Sequence, residues 1–280
     1  MTAAVATRRR RVRPGSVLRW VWLSLLVVVI CFPVYVTVVT ALLPRADVAA
    51  GQLFPTPGDL TLDNVRAALR AVPLGSQYVV SVAVTVLQTV AQLTFAALAA
   101  YGLVFPRWRG RGIAFALILA TLAIPGESSV IPNFELVTDL GLRDTLIGIV
   151  IPFLAVGYPV FLLRQAFLQL PGEVWEAARL DGCSNLRCLV SIILPMARPQ
   201  LFTAAMWCAL AAWNGYFWPL LITDSPDRRT VQVGLAQLVT GEITAPAVIY
   251  AGTLIVLLPT LLLVLLGQRF LVRGLASRTP

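Results

Sequence analysis

There is no lysine and no histidine in this chain; all 22 basic residues are arginine. A nucleotide-binding P-loop holds phosphates with the lysine of Gly-Lys-Ser/Thr, so this chain contains no such loop. Without histidine it lacks the commonest metal ligand and the side chain that most readily moves protons near neutral pH. Charge of either sign is scarce, at 12% of residues, where a soluble domain carries about a quarter. Cysteine is scarce too. Cys31 and Cys208 sit inside apolar runs, and Cys183 and Cys188 are spaced like half a zinc site with no second half in the sequence. They read as reduced, structural cysteines, and no metal ligand set is expected.

Apolar sequence is abundant: of 280 residues, 58% are hydrophobic. Several runs exceed the roughly 20 residues that span the hydrocarbon of a bilayer. The lipid core forces such runs into helices, because unpaired backbone groups are too costly there and no barrel-type alternation is visible. The expectation is an all-α, polytopic bundle of six transmembrane helices at about 17–43, 78–104, 113–132, 145–168, 199–222 and 246–270. The run after the arginine-rich start is too long for a cleaved signal peptide and reads as a retained first span. The whole of 1–280 reads as one transmembrane domain.

Arginine sets the orientation. With the N-terminus in the cytoplasm, sixteen arginines fall inside and six outside, which is the bias that places loops in the cytoplasm. Residues 1–16 and 271–280 then form cytoplasmic tails, and the polar segment 171–198 a cytoplasmic loop. The outer connections predict a short helix at Leu62–Arg70 and an interfacial helix in "NFELVTDLGLRD", ended by Gly141, with Asp144 or Thr145 capping the next span.

The loop at 171–198 reads as helix, turn, helix. Pro171-Gly172-Glu173 suits a helix start and Gly182 a left-handed C-cap; Ser184 can cap the next helix, and Pro195 ends or kinks it. Glu176-Ala177-Ala178, then Gly182, Ile192 and Leu194-Pro195, with intervals of three, nine and one residues, resembles the EAA signature of ABC importer permeases. Six spans, "AAWNGYFWPL" in the fifth and "LVTDLGLRDT" are similar to the maltose-type carbohydrate branch (type I). The resemblance implies a coupling loop that docks on an ATPase subunit. Glu176 would meet a basic residue there, and Gly182 would allow the sharp turn. It further implies a bacterial plasma (inner) membrane location with both termini cytoplasmic, and no enzyme activity in the chain. ATP and Mg would be bound by the ATPase subunits, with no cofactor in this chain. The implied partners are a second, non-identical permease, two ATPase copies, an extracytoplasmic solute-binding protein and membrane lipid, with no nucleic acid. The implied function is uptake of a carbohydrate or polyol by alternating access. A permease for peptides, amino acids or another solute, or an ion-coupled secondary transporter, remains the alternative.

Polar residues inside the spans mark candidates for the solute pathway. Ser81, Thr85, Gln88 and Gln92 share one helix face, so Gln88 and Gln92 either line a path or tie neighbouring helices. Trp213 and Asn214 sit among Trp207, Tyr216, Phe217 and Trp218, which suits sugar stacking or an aromatic belt. Glu127 is an acid near the outer end of the third span, either functional or solvated and structural.

Overall fold

The computed structural model describes residues 14–56, 58–240 and 245–276. Of the tails expected at 1–16 and 271–280, residues 1–13 and 277–280 lie outside the described residues, while 14–16 open the first helix and 271–276 continue the last. Among those described there is no strand. The chain opens with α1 (Pro14–Leu42) and continues through α2 (Arg45–Ala49) and α3 (Asp63–Ala71) into α4 (Leu74–Val104). Then come α5 (Arg111–Thr121), α6 (Val130–Asp139), α7 (Leu146–Val150) and α8 (Gly157–Phe167). The polar loop forms α9 (Gly172–Leu180), α10 (Asn185–Cys188) and α11 (Leu194–Met196), followed by α12 (Arg198–Trp213), α13 (Phe217–Ile222), α14 (Val231–Thr240) and α15 (Pro246–Ala276).

Not all of the six expected spans are continuous helices among the described residues. Three helices are long and apolar enough to cross a membrane, Leu18–Leu42, Leu74–Val104 and Pro246–Leu265, and counting bent pairs as single spans raises this to five among the described residues. The expected span at 113–132 is α5, a turn and the start of α6, and those at 145–168 and 199–222 are each broken.

Proline explains the breaks. Its ring clashes with the carbonyl four residues earlier and it donates no hydrogen bond to it. Pro159 stands four residues after Ala155, in the gap before α8, where the chain bends by 49°. Pro219 stands four residues after Gly215, in the gap between α12 and α13. Pro195 stands four residues after Ser191, inside a stretch of π-helix at Leu189–Ile193. Hydropathy is blind to these residues, because a proline in an apolar run scarcely changes the mean.

α4 is the hub. It packs along α12 and α8, while α1 packs on α15. Near the polar loop, a core of Ala96, Ala97, Ala100, Tyr101, Phe105, Leu163, Phe167 and Ile193 joins α4, α8 and the loop. By contrast α1 is exposed on every side and, Ser24 aside, apolar from Trp20 to Phe32, as suits a helix sheathed by lipid or a partner.

Candidate functional site

Three places carry the chemistry: the polar loop, a cavity beside α4, and a brace between two connections at the opposite end of the bundle from the loop.

The polar loop turns where the sequence says it must. Gly182 has φ +78°. Its N–H donates to the Arg179 carbonyl at 3.1 Å and that of Cys183 to the Ala178 carbonyl at 3.0 Å, the paired 5→2 and 6→1 bonds of a Schellman C-cap. The Arg179 guanidinium adds a bond to the Cys183 carbonyl at 2.9 Å. Ser184 holds the N-cap backbone position of α10 but makes no side-chain capping bond. Beyond the π-helical stretch, the arm 185–196 meets α12 at 90°. If α12 crosses the membrane, this arm lies along its surface.

Within α9, Glu173, Glu176, Ala177 and Leu180 are all exposed and recur at helical spacing, so they form one outward stripe. Leu180 is 89% exposed. Ala178 points the other way and is 8% exposed, so of the two motif alanines only Ala177 is on the outward face. Ile192 and Leu194 pack against the α4–α8 core, and Pro195 is half-buried beside the bend. Glu176 faces Arg107 at 3.7 Å, with the side chains 60% and 87% exposed. That geometry is worth little by itself, so the Glu176 carboxylate remains open to an outside partner.

Sequence reading missed what fastens α9. The Trp175 indole N–H donates to the Tyr101 hydroxyl at 2.9 Å, and that hydroxyl donates to Asn185 at 3.4 Å. Trp175 also stacks on Phe105, with ring centroids 5.9 Å apart. These contacts join the loop to the end of α4 across seventy residues of sequence or more, so no local pattern announces them. The Leu180 stripe, by contrast, could have been found from its spacing alone.

The cavity has a volume of about 360 Å³ and is walled by α4, the α7–α8 turn, α12 and α13. Gln88 and Gln92 both line it. Their amide N–H groups also reach across to α7 and its following turn: Gln88 donates to the Ile149 carbonyl at 3.3 Å and Gln92 to that of Phe153 at 2.8 Å. Ser81 accepts the Val231 N–H at 2.8 Å and serves packing. Trp213 is 3% exposed, donates to the Val256 carbonyl at 3.3 Å and meets Tyr78 edge-on. Asn214 donates to its own helix at Leu210 and accepts from Gln232. Neither Trp213 nor Asn214 lines the cavity, whereas their neighbours Trp207, Tyr216, Phe217 and Trp218 do. Glu127 falls on a 3-10 turn at Gly126–Ser129, and its side chain lies outside the described residues. No group of three or more potential metal ligands occurs among the described residues, and all four cysteines are free.

The third place joins the α6–α7 and α13–α14 connections. Gly141 takes φ +66° and Asp144, unusually for a side-chain-bearing residue, φ 54°, a region that aspartate tolerates better than most. Thr145 caps α7 by accepting the Gly148 N–H, which leaves Asp144 free for another use. The Asp144 carboxylate accepts the N–H groups of Asp224 and Ser225, each at 3.0 Å, and the Ser225 hydroxyl, and it pairs with Arg228 at 3.6 Å. Arg143 grips Asp224 through both carboxylate oxygens, at 3.0 and 3.1 Å. Burial pushes the Asp144 carboxyl up, but the Ser225 and Asp224 hydrogen bonds and the Arg228 charge together outweigh it and hold its pKa below the ordinary aspartate value. A depressed carboxylate contributes stability above its unfolded pKa and loses it as pH falls through the folded value. The Asp224 and Ser225 amides are therefore expected to stay protected from hydrogen exchange at pH 5 and above. Protection should fall only on acidification below about pH 4. Asp144→Asn is expected to speed their exchange at neutral pH by about tenfold or more, since hydrogen bonds to a charged group are lost. Unchanged exchange in the variant would remove the brace.

Comparison with known proteins follows the same outline. Residues 92–277 match the profile of the family described as "Binding-protein-dependent transport system inner membrane component". The sn-glycerol-3-phosphate transport system permease protein UgpE of Brucella suis biovar 1 (strain 1330) is 30% identical over 264 residues, covering 90% of this chain and 92% of that protein. The UgpE proteins of Pectobacterium atrosepticum and of Escherichia coli O6:K15:H31 are 32% and 33% identical over 259 residues, with the same coverage. A chain from the crystal structure of a bacterial ABC transporter involved in the import of the acidic polysaccharide alginate superposes with a TM-score of 0.80. It is 26% identical, and the match covers 95% of this chain and 99% of that one.

Proposed function

This chain belongs to the binding-protein-dependent transport system inner membrane components: it is a membrane-spanning permease subunit of an ABC importer, and we propose that its solute is a carbohydrate or polyol. Such a subunit works in a complex with a partner permease, ATPase and binding protein. The finer proposal is a second, non-identical permease and two ATPase copies, with ATP and Mg held by those ATPases and hydrolysis coupled to alternating access here. The relatives are named for sn-glycerol 3-phosphate and the structural neighbour for alginate. What those two solutes share is a hydroxylated carbon skeleton, and that common chemistry supports the solute class.

The observation that carries the coupling mechanism is the construction of α9. It presents Glu173, Glu176, Ala177 and Leu180 outward while Trp175 fixes it to α4, whose other face walls the cavity. A docked motor can then move the wall by moving the loop. The test is ATP hydrolysis by the purified complex across a panel of solutes. Stimulation by a sugar or polyol through its binding protein supports the reading, and stimulation by peptides or amino acids alone overturns the solute class.

Orientation follows from the arginine bias. Asp227 and Arg109 are both exposed, the first beside the Asp144 brace and the second near the polar loop. Asp227→Cys is expected to react with an impermeant thiol reagent in intact cells, and Arg109→Cys only after the membrane is opened. The reverse pattern inverts the topology and moves the loop out of reach of a cytoplasmic ATPase.

A further inference from the structure

The geometry points to a headgroup site for an anionic phospholipid between the start of α5 and the end of α8, with Arg164 and Arg111 holding the phosphate and Arg109 adding charge. The site is separate from the cavity and from the outward stripe of α9, and it does not depend on which solute is carried.

Arg164 stands in the last turn of α8 and is half-buried. Its guanidinium carbon lies 3.8 Å from the centroid of the Phe115 ring on α5. Its Nε is sealed from the surface and has no hydrogen-bond partner among the described residues. The ion pairs among the described residues belong to Arg66, Arg107, Arg143 and Arg228, so no carboxylate answers the Arg164 charge. A ring face and the negative end of a helix both favour a cation. Neither has given this guanidinium a hydrogen-bond acceptor, and a half-buried cation without one is costly beside hydrocarbon. Membrane topology accounts for exposed arginines in a loop. It does not account for one set inside a span with no counter-charge.

More positive charge stands beside it. Arg111 opens α5 four residues before Phe115, so it shares that helix face and lies about 6 Å nearer the end of the bundle, at 1.5 Å per residue. Arg109 is in the turn just before. Both are exposed and neither makes an ion pair among the described residues. The turn that carries them is fixed: the Trp108 indole N–H donates to the Gly102 carbonyl at 2.9 Å, and a Cβ at Gly110 would come within 2.5 Å of the Trp108 ring.

A phosphodiester supplies what is missing, because its oxygens accept from guanidinium groups in pairs. The apolar surroundings favour a lipid as its source. Ile113 and Leu117 are exposed on α5 within two turns of Arg111, and Leu168, four residues after Arg164, is exposed too. Trp108, exposed beside the arginines, is of the kind enriched where hydrocarbon meets water. A phospholipid matches the basic and the apolar surface together, as at other basic pockets between the ends of membrane helices. Free phosphate matches the arginines alone.

The test is binding of a fluorescent phosphatidylglycerol to the assembled complex in detergent, with phosphatidylcholine carrying the same dye as the comparison. Phosphatidylglycerol is expected to bind at least about tenfold more tightly, and Arg111→Gln with Arg164→Gln should remove that preference. Arg187→Gln with Arg198→Gln takes the same charge from two exposed arginines elsewhere at this end, and should leave the preference in place. Should Arg164→Gln fail to assemble, Arg111→Gln alone, at an exposed position that folding does not need, is expected to weaken phosphatidylglycerol binding roughly fivefold, the effect of one basic residue near an anionic surface. Inorganic phosphate at the same concentration is expected not to displace the lipid. Displacement by phosphate assigns the arginines to a soluble anion and overturns the inference. Equal binding of the two lipids overturns it as well, as it would if a carboxylate of a partner subunit already occupied Arg164. An equal loss in the Arg187 and Arg198 control reduces the effect to diffuse attraction and also overturns it.

Discussion

In membranes carrying Gly182→Val, ATP-driven uptake is expected to fall to background while the ATPase subunits remain bound. A Cβ at Gly182 would meet nothing within 4 Å, so the damage is not a clash with neighbours. It lies in the backbone: φ +78° is closed to a β-branched residue at acceptable cost. The left-handed region costs about 1–2 kcal/mol for an ordinary L-residue. The chain escapes by opening the C-cap, which swings α9 relative to α10 and re-aims the outward stripe. Gly182→Asn is the discriminating control, because asparagine tolerates the left-handed region; it should retain most uptake. Glu176→Ala acts differently and is expected to release the ATPase from the membrane. Its contact with Arg107 is long and open to water, so the loss of that pair is worth at most about 1 kcal/mol. A carboxylate removed from a buried interface costs roughly 2–5 kcal/mol, enough for more than tenfold weaker docking. Arg107→Ala should therefore leave the ATPase in place. Full uptake with normal ATPase retention in both Gly182→Val and Glu176→Ala would refute the coupling assignment.

Trp175→Ala is expected to leave the complex assembled but to uncouple it, so that ATP is hydrolysed with little solute moved. Truncating a fully buried Trp costs about 3–5 kcal/mol. Trp175 is half-buried, which brings the expected loss to roughly 2 kcal/mol, distributed over its stacking on Phe105 and its bond to Tyr101. That is spent at the junction of α9 with α4. The measured quantity is solute transported per ATP hydrolysed, expected to fall roughly tenfold or more. Tyr101→Phe deletes both hydrogen bonds of the hydroxyl, the one from Trp175 and the longer one to Asn185, at about 0.5–1.5 kcal/mol each, and should lower the ratio less than Trp175→Ala because the stacking of Trp175 on Phe105 survives. If Trp175→Ala transports with unchanged stoichiometry, α9 is not fastened to α4 in any way that matters to coupling.

The polar loop was legible because its residues are constrained by local rules. A left-handed turn needs a glycine, a helix start welcomes Pro171, and charged residues stand out in apolar sequence. The all-helical bundle followed from hydropathy for the same reason. The breaks inside the spans were not legible, since those at Ala155 and Gly215 coincide with prolines four residues later, which a mean over a window absorbs. The polar face of α4 could be drawn from periodicity. Periodicity could not say that Gln88 would give its N–H to Ile149 and keep its oxygen, because the partner comes from a different helix. Trp213 and Asn214 attracted attention as an amide among aromatics. Their side chains are occupied by Val256, Leu210 and Gln232, and the residues around them do the lining. The fastening of Trp175 to Tyr101 left no trace in sequence, as contacts between distant segments do.

α4 runs for 31 residues with no interruption, a length of about 46 Å at 1.5 Å per residue. Gln88 stands near its middle and Tyr101 near its end, so the helix is a lever with its load partway along. A tilt of only about 5° about the far end would carry the Tyr101 end through roughly 4 Å and Gln88 through about half of that, by the same rise per residue. The gearing is fixed by stiffness alone. A pair of glycines placed between Gln92 and Tyr101 would touch neither solute nor motor, yet it would put slack in the shaft: the loop would swing, and the wall would stay where it was.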